Sequence, residues 1–481
     1  MMIRSSRIRI VVFAVVWTFF LTYLLLRWSD WRAQHALTYP KSVLNPDNTK
    51  RHAQFWKEFQ PVLDEYDPDC PSPERTGTAA STRFNPNKEE TRPEYIKMPE
   101  SDVKQMIKKH TGFLEATETL KPHYVPGTRG LVTTAGGQYL PVLTISLRML
   151  RHVGSTLPME VFLASDEEYE SHICDVVFPQ LNARCIVLDH IWKAAPEAKN
   201  ISAYQYKPFA MLFSSFEEML FLDADAFPIR DPSVLFASDP FRKFGMVTWP
   251  DFWGSTASRI YYRIASQYVP RTTVRASTES GELLLSKKTH RKSLMLATYY
   301  NYYGPSHYYP LFSQGAAGEG DKETFIAAAN VVSEPFYQVS EPIMAIGHRS
   351  ADGGMTGSAM VQYDPTEDYG LTRNGLWRVK DPSVAPSPRP FFVHANVPKF
   401  NPATIFDDHF IDPVRDAAGN FVRPWTIPEE TIESFGWDVE RQFWREIEWV
   451  ACHLEDKFET WKDRLRVCEL VQRYCKVVFD D

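Results

Sequence analysis

The chain has 481 residues, 44% of them hydrophobic and 23% charged. That is enough apolar mass to bury a sizeable core and too much for a disordered protein. Its 53 basic and 60 acidic residues leave a net charge of −7, so no basic, phosphate-facing surface and no nucleic-acid partner are expected. Aromatic residues reach 14%; such rings are first of all core, although they also suit sugar-binding clefts.

Residues 10–26 (IVVFAVVWTFFLTYLLL) carry no charge, with Arg4, Arg7 and Arg9 before them and Arg27 and Arg32 after. This predicts a single transmembrane anchor with a cytoplasmic tail at 1–9 and the remainder across the membrane. The rival reading, a cleaved signal peptide, usually has a shorter apolar region followed by a small-x-small site, and Leu24–Trp28 supplies none. All six cysteines follow the anchor. An even number permits three disulfides in any of about 15 pairings, and without a C-x-x-C zinc is not expected. Asn200-Ile201-Ser202 is a glycosylation sequon on Asn200. An anchor with a luminal body is the layout of a Golgi-resident enzyme.

Residues 27–125 read as a luminal stem. Within it, Pro61–Arg92 is rich in proline, charge and small polar residues, which predicts mostly extended linker. Val103, Met106, Ile107 and Leu114 fit one face of a helix over 102–114. The stretch 126–481 reads as the catalytic domain. Gly130–Thr134 predicts a buried strand, Tyr139–Arg151 a helix, Glu160–Leu163 and Cys185–Leu188 two more strands, Pro208–Phe216 a helix and Met219–Leu222 a fourth strand. Strands alternating with helices predict an α/β sandwich with a mainly parallel central sheet, whose ligands sit at the carboxyl ends of the strands.

The fourth strand runs into Asp223-Ala224-Asp225. Two carboxylates one residue apart, leaving a sheet, can converge on a hard divalent cation that also takes phosphate oxygens. The alternative is a turn in which the aspartates cap backbone amides. Asp67-Pro68-Asp69 has the same spacing but no strand before it, and reads as solvated linker.

The segment LFLDADAFPIRDP resembles the D-x-D segment of glycosyltransferase family 71, the fungal Golgi α-mannosyltransferases of mannan side chains. GLVTTAGGQYLPVLTISLRMLRHVGSTLPMEVFL, YKPFAMLFSSFEEMLFLDADAFP, GMVTWPDFW and ESGELLLSKKTH are similar to further blocks of that family, and the likeness covers about residues 125–400. It implies a GT-A-type nucleotide-sugar-binding fold, a GDP-mannose donor, Mn²⁺ (or Mg²⁺) and retention of the α configuration. The TTAGG-x-YLPV and GEGDKETF blocks look more like the α-1,2 branch-initiating members than the α-1,3 capping members.

The site residues expected on this basis are these. Asp223 and Asp225 hold the metal. His394 ends the strand Phe391–His394, where related retaining enzymes place a third ligand. Gly136 and Gly137, with Thr133, Thr134 and Tyr139, form the loop where backbone amides approach a nucleotide. Asp166, ending the second strand, faces a guanine edge or caps a helix. Lys207 and Lys399 place positive charge near the diphosphate. Asp321, in the Gly318–Glu323 loop, and Glu279 stand for the catalytic acids. The run Lys287–Lys292 reads as a solvated helix end, and the tyrosines at 299–303 and 308–309 as core before sugar platform. The expected activity is transfer of mannose to a mannan, N-glycan or O-glycan acceptor, at the Golgi membrane, alone or in homo- or hetero-oligomers. A UDP-sugar transferase, an α-1,3-mannosyltransferase and a non-catalytic scaffold subunit are the alternatives.

Overall fold

A computed structural model describes residues 42–45, 47–195 and 201–479. The expected anchor at 10–26 and the sequon at Asn200 lie outside these residues. Among the described residues no helix is long and apolar enough to cross a membrane.

Two helices precede the sheet, α1 (Asp47–Glu65) and α2 (Glu100–Thr117). Apolar residues three and four apart form one stripe on each: Phe55, Trp56, Phe59 and Leu63 on α1, and Val103, Met106 and Phe113 on α2, all buried. The α2 prediction is met and extended. The linker expected over 61–92 begins later, because α1 continues through Pro61 to Glu65. An internal proline costs about 3 kcal/mol, but each large apolar side chain of this stripe returns about 1.5–3 kcal/mol on burial. Residues 66–96 are mostly irregular yet bonded to the body: Gly254 N donates to Thr82 O at 2.9 Å, Phe84 N to Phe252 O at 3.2 Å, and Tyr95 N to the Gln314 side chain at 2.6 Å. They form a strap, not a free spacer.

The body opens with β1 (Val125–Thr134), α3 (Tyr139–His152), β2 (Met159–Leu163) and β3 (Ala183–Val187). It continues through α4 (Tyr206–Phe213), β4 (Phe216–Leu222), β5 (Ala226–Pro228), β6 (Met246–Gly254), β7 (Ala276–Ser286) and α5 (Lys287–Tyr302). After these come α6 (Thr324–Val331), β8 (Tyr337–Gln338), β9 (Met344–Arg349), β10 (Met355–Tyr363), β11 (Pro390–His394), α7 (Val439–His453) and α8 (Val467–Phe479). The helix expected to reach Phe216 stops at Phe213, because Phe216 already belongs to β4.

Seven strands form one sheet in the order β8-β6-β7-β4-β1-β2-β3. All run parallel except β7, which is antiparallel to both β6 and β4. The α/β expectation of a mainly parallel sheet therefore holds. Alternate side chains feed two cores. Leu131 and Leu220 pack with α3, α7 and α8, while Val132 and Phe221 pack with α1, α2, α4 and α5. Both faces are covered, which is why the Met219–Leu222 half of β4 reads as an unbroken apolar run. A second, antiparallel sheet has the order β9-β10-β11-β5.

The tyrosines of α5 and of the turn after it are core. Tyr299 and Tyr303 are wholly buried and donate to Tyr66 O at 2.8 Å and Leu63 O at 2.6 Å, so they mount α1 on the body. Lys287 corrects the solvated-end reading: it is fully buried, and its Nζ donates to Leu212 O at 2.8 Å and to Ser214 O. Carbonyls at the end of α4 lack helical partners, and the ammonium supplies a donor. Two disulfides occur, Cys174–Cys185 and Cys452–Cys468. Cys70 and Cys475 belong to neither.

Candidate active site at the junction of the two sheets

The turn Asp223-Ala224-Asp225 is the passage from one sheet to the other, since β4 lies in the first and β5 in the second. It is pinned on three sides. Ala226 N donates to Asp223 O at 3.0 Å, Ser146 of α3 donates to Ala224 O at 2.7 Å, and Ala395 N donates to Asp225 O at 3.0 Å. Strand β11 pairs with β5 so that His394 stands opposite Ala226. This register, rather than any sequence proximity, brings the imidazole to the aspartates: His394 Nε2 lies 3.2 Å from Asp225 Oδ1. Antiparallel β7 contributes from the other side. Its register sets Glu282 opposite Leu222, and Glu279 lies 3.6 Å from His394 Nδ1.

Asp223, Glu279, Asp321, Lys207, Lys399 and His394 line one cavity of about 810 Å³. Lys207, nearly buried, sits 3.1 Å from Asp223, 3.3 Å from Asp321 and 2.6 Å from Ser280 O. Burial alone would lower its pKa, but Asp223, Asp321 and Glu279 outweigh it and hold the ammonium above its usual range. Lys399 binds the other oxygen of Asp225. Burial opposes the charge on Asp225, yet His394 and Lys399 overcome it and keep the carboxylate well below its usual range. Glu279 is partly buried, and His394 beside it helps bring it down to about 2. Glu282 lies beneath it, wholly buried, and burial followed by the charge of Glu279 raises its carboxyl far above the usual value.

The donor set fits a divalent cation. Asp223, Asp225 and His394 each offer a ligand atom within 4.8 Å of the others, an oxygen and nitrogen set suited to Mn²⁺ or Mg²⁺. The buried His394 Nδ1 has no hydrogen-bond partner. Glu279, Glu282 and His394 form a second such group, in which Glu282 is wholly buried.

The loop bearing Asp321 is anchored to β7 through Glu323, which accepts from Thr278 N at 2.7 Å and pairs with Arg275 at 2.9 Å. Gly318 turns it with φ +75°, where a Cβ would strike Lys322 Nζ at 2.6 Å. Lys322 in turn bonds Asp251 of β6 at 2.6 Å.

Other expected residues stand apart. Thr133 is fully buried in β1 and does not line this cavity. Gly136 faces Glu168, so that a Cβ would meet that carboxylate at 2.3 Å. Asp166 is exposed and engaged by His190 at 2.7 Å and Lys193 at 3.5 Å, on a different hollow. Thr134, Gly137 and Tyr139 do not line the cavity either. Their loop does abut its edge, since Asn401, two residues after Lys399, donates to Gln138 O at 3.1 Å. Sequence reasoning missed Glu282, Asp251 and Lys322 as site residues. Asp251 had a signal, an acid inside the apolar-aromatic run Trp249–Trp253.

A family profile described as "Mannosyltransferase putative" matches residues 128–275 and 268–364. The α-1,2-mannosyltransferase MNN21 of Candida albicans is 34% identical over 431 residues, 77% of this chain and 64% of that protein. MNN24 of the same organism is 39% identical over 57% of this chain and 44% of its own length. The α-1,2-mannosyltransferase MNN2 of Saccharomyces cerevisiae is 30% identical over 77% of this chain and 72% of its own. The chain thus spans 64% and 44% of the two Candida relatives. Among solved structures, the glycosyltransferase GlyE of Streptococcus pneumoniae is 14% identical and covers 68% of this chain and 64% of its own, with a TM-score of 0.31, too distant to carry an argument. The matched segments contain the D-x-D turn, β7 and the Asp321 loop that build the cavity, and the chain belongs to the fungal mannosyltransferases of glycosyltransferase family 71.

Proposed function

We propose that the chain transfers mannose from GDP-mannose to a mannose-containing glycan, with retention and an α-1,2 linkage, on a GT-A-type body aided by a divalent cation. The names of the relatives support the sugar and the linkage. The observation that carries the reading is the convergence of Asp223, Asp225 and His394 from both sheets beside a cavity of about 810 Å³. When bound by those three side chains, Mn²⁺ or Mg²⁺ would act as a Lewis acid that offsets charge on a departing diphosphate.

The chain's own residues do the rest. Lys207 holds Asp223 and Asp321 in place. Lys399 adds positive charge at the side of Asp225, where electrostatic stabilisation of a leaving group is worth most. Glu279, beside His394, supports positive charge developing at the sugar carbon, and Asp321 accepts a hydrogen bond from the acceptor hydroxyl. The two disulfides support a body in an oxidising compartment, which is the Golgi lumen in this reading, behind a type II anchor.

The test incubates the protein with GDP-mannose, Mn²⁺ and an α-1,6-linked mannose oligosaccharide, with EDTA in parallel, and reads the linkage by NMR. Metal-dependent α-1,2 product is the expected result. Folded protein that neither transfers mannose to several acceptors nor releases GDP would overturn the reading.

A further inference from the structure

A second cavity, of about 690 Å³, adjoins the first, and the two share Asp251 and Phe252 of β6 as a common wall. Its remaining walls bring aromatic faces from distant parts of the chain: Phe84 from the strap, Tyr337 from β8, and Trp377, which is 45% exposed. The strap is fixed there by Phe84 N on Phe252 O at 3.2 Å and by the Asn87 side chain on Lys380 O at 3.0 Å. Three of the five charged residues lining the cavity are ion-paired. Arg271 is paired with Glu89 at 2.8 Å, Arg275 with Glu323 at 2.9 Å and Asp251 with Lys322 at 2.6 Å. Arg83 and Lys380 are exposed at the rim.

Ring faces interleaved with polar and ion-paired groups in a concave site suit a ligand with C–H faces and many hydroxyls. We propose that this cavity is a distal acceptor subsite, holding mannose units of the glycan chain remote from the reacting hydroxyl, with Trp377 and Phe84 as its stacking rings. The inference rests on the mannosyltransferase reading, and it gives the strap a role in acceptor length selection.

Binding is measured on the full chain in detergent, with GDP and Mn²⁺ present, by titration with an α-1,6-linked mannohexaose and with mannobiose. The parent binds the hexaose about tenfold tighter. Trp377→Ala and Phe84→Ala, with melting temperatures like the parent's, lose that advantage and keep the biose affinity, while Trp377→Phe regains most of it. A hexaose bound no tighter than the biose overturns the proposal, as does a length advantage that survives in Trp377→Ala. Failure of the activity reading shows separately. A parent without turnover of GDP-mannose, whose hexaose binding still depends on Trp377, sinks the transferase reading and leaves the subsite standing.

Discussion

The backbone amide of Asp223 donates to the carbonyl oxygen of Gly281 at 2.8 Å. One hydrogen bond thus fastens the turn that carries two carboxylates to the strand that carries Glu279 and Glu282. It also places residue 281 directly beneath His394.

Gly281→Ala tests that packing. A Cβ there would lie 2.6 Å from the His394 ring and 2.9 Å from Glu279, and the ring is held by β11 on one side and Asp225 on the other. Overpacking of this kind costs about 1–3 kcal/mol of stability. We expect a folded protein with a modestly lower melting temperature and transfer reduced by about a hundredfold, an effect of order 2.7 kcal/mol on the barrier. Near-normal transfer would show that His394 has room to move and that its position is not critical.

Asp225→Asn removes the charge that His394 and Lys399 share. The variant should fold, lose Mn²⁺-dependent thermal stabilisation and lose about 10²–10³-fold or more in turnover, the scale seen when one preorganised electrostatic partner is removed. Differential scanning fluorimetry with and without Mn²⁺, beside the transfer assay, separates the two losses. A variant that keeps its Mn²⁺ response would remove Asp225 from the ligand set.

Lys287 makes a pH prediction far from the cavity. Burial lowers its pKa from 10.5 to about 7. Between these values the unfolded chain carries a proton that the folded chain lacks, so stability attributable to this residue rises with pH from about 7 toward 10.5. Below that window both states are protonated and the contribution is flat. The urea midpoint of the parent, measured against that of Lys287→Met, should therefore climb between pH 7 and 9. A constant difference across that range would place the folded pKa elsewhere.

Trp56 tests the strap and its helix. It is fully buried, edge-on to Phe209 at 5.7 Å and to Phe213 at 5.9 Å. Trp56→Ala should cost about 3–5 kcal/mol, seen in thermal melts, although it touches no residue of the cavity. Deletion of residues 42–125 should yield aggregated protein, because the matching face of α4 and α5 would be laid bare.

Much of this was legible in the chain. Four consecutive apolar residues before Asp223 marked a strand buried on both faces, and the acids after it marked the sheet's carboxyl edge. The tyrosines of α5 read correctly as core. What stayed hidden was long-range. Nothing near Glu282 shows that β7 runs against its neighbours, and nothing near Lys287 shows that unpaired carbonyls of α4 await it. Asp166 and Thr133 stand at strand ends, away from this cavity. A strand's end fixes position along the sheet, not which side chains face the opening. Pro61 and the polar composition around it suggested a spacer, because composition does not reveal that Trp56 and Phe59 have a partner surface some 150 residues later.

Strand β7 also bears on how the protein is made. Leu284 pairs with Leu220 of β4 on one side and Val247 of β6 on the other, yet both neighbours precede it in the chain. A nascent polypeptide that has left the ribosome only as far as β6 holds two apolar strands with open edges and an empty slot between them. Such edges invite pairing with other chains. Synthesis through residue 286 is therefore the step at which this protein passes from aggregation-prone to self-sealing, and a chaperone's dwell time on it should be longest just before that point.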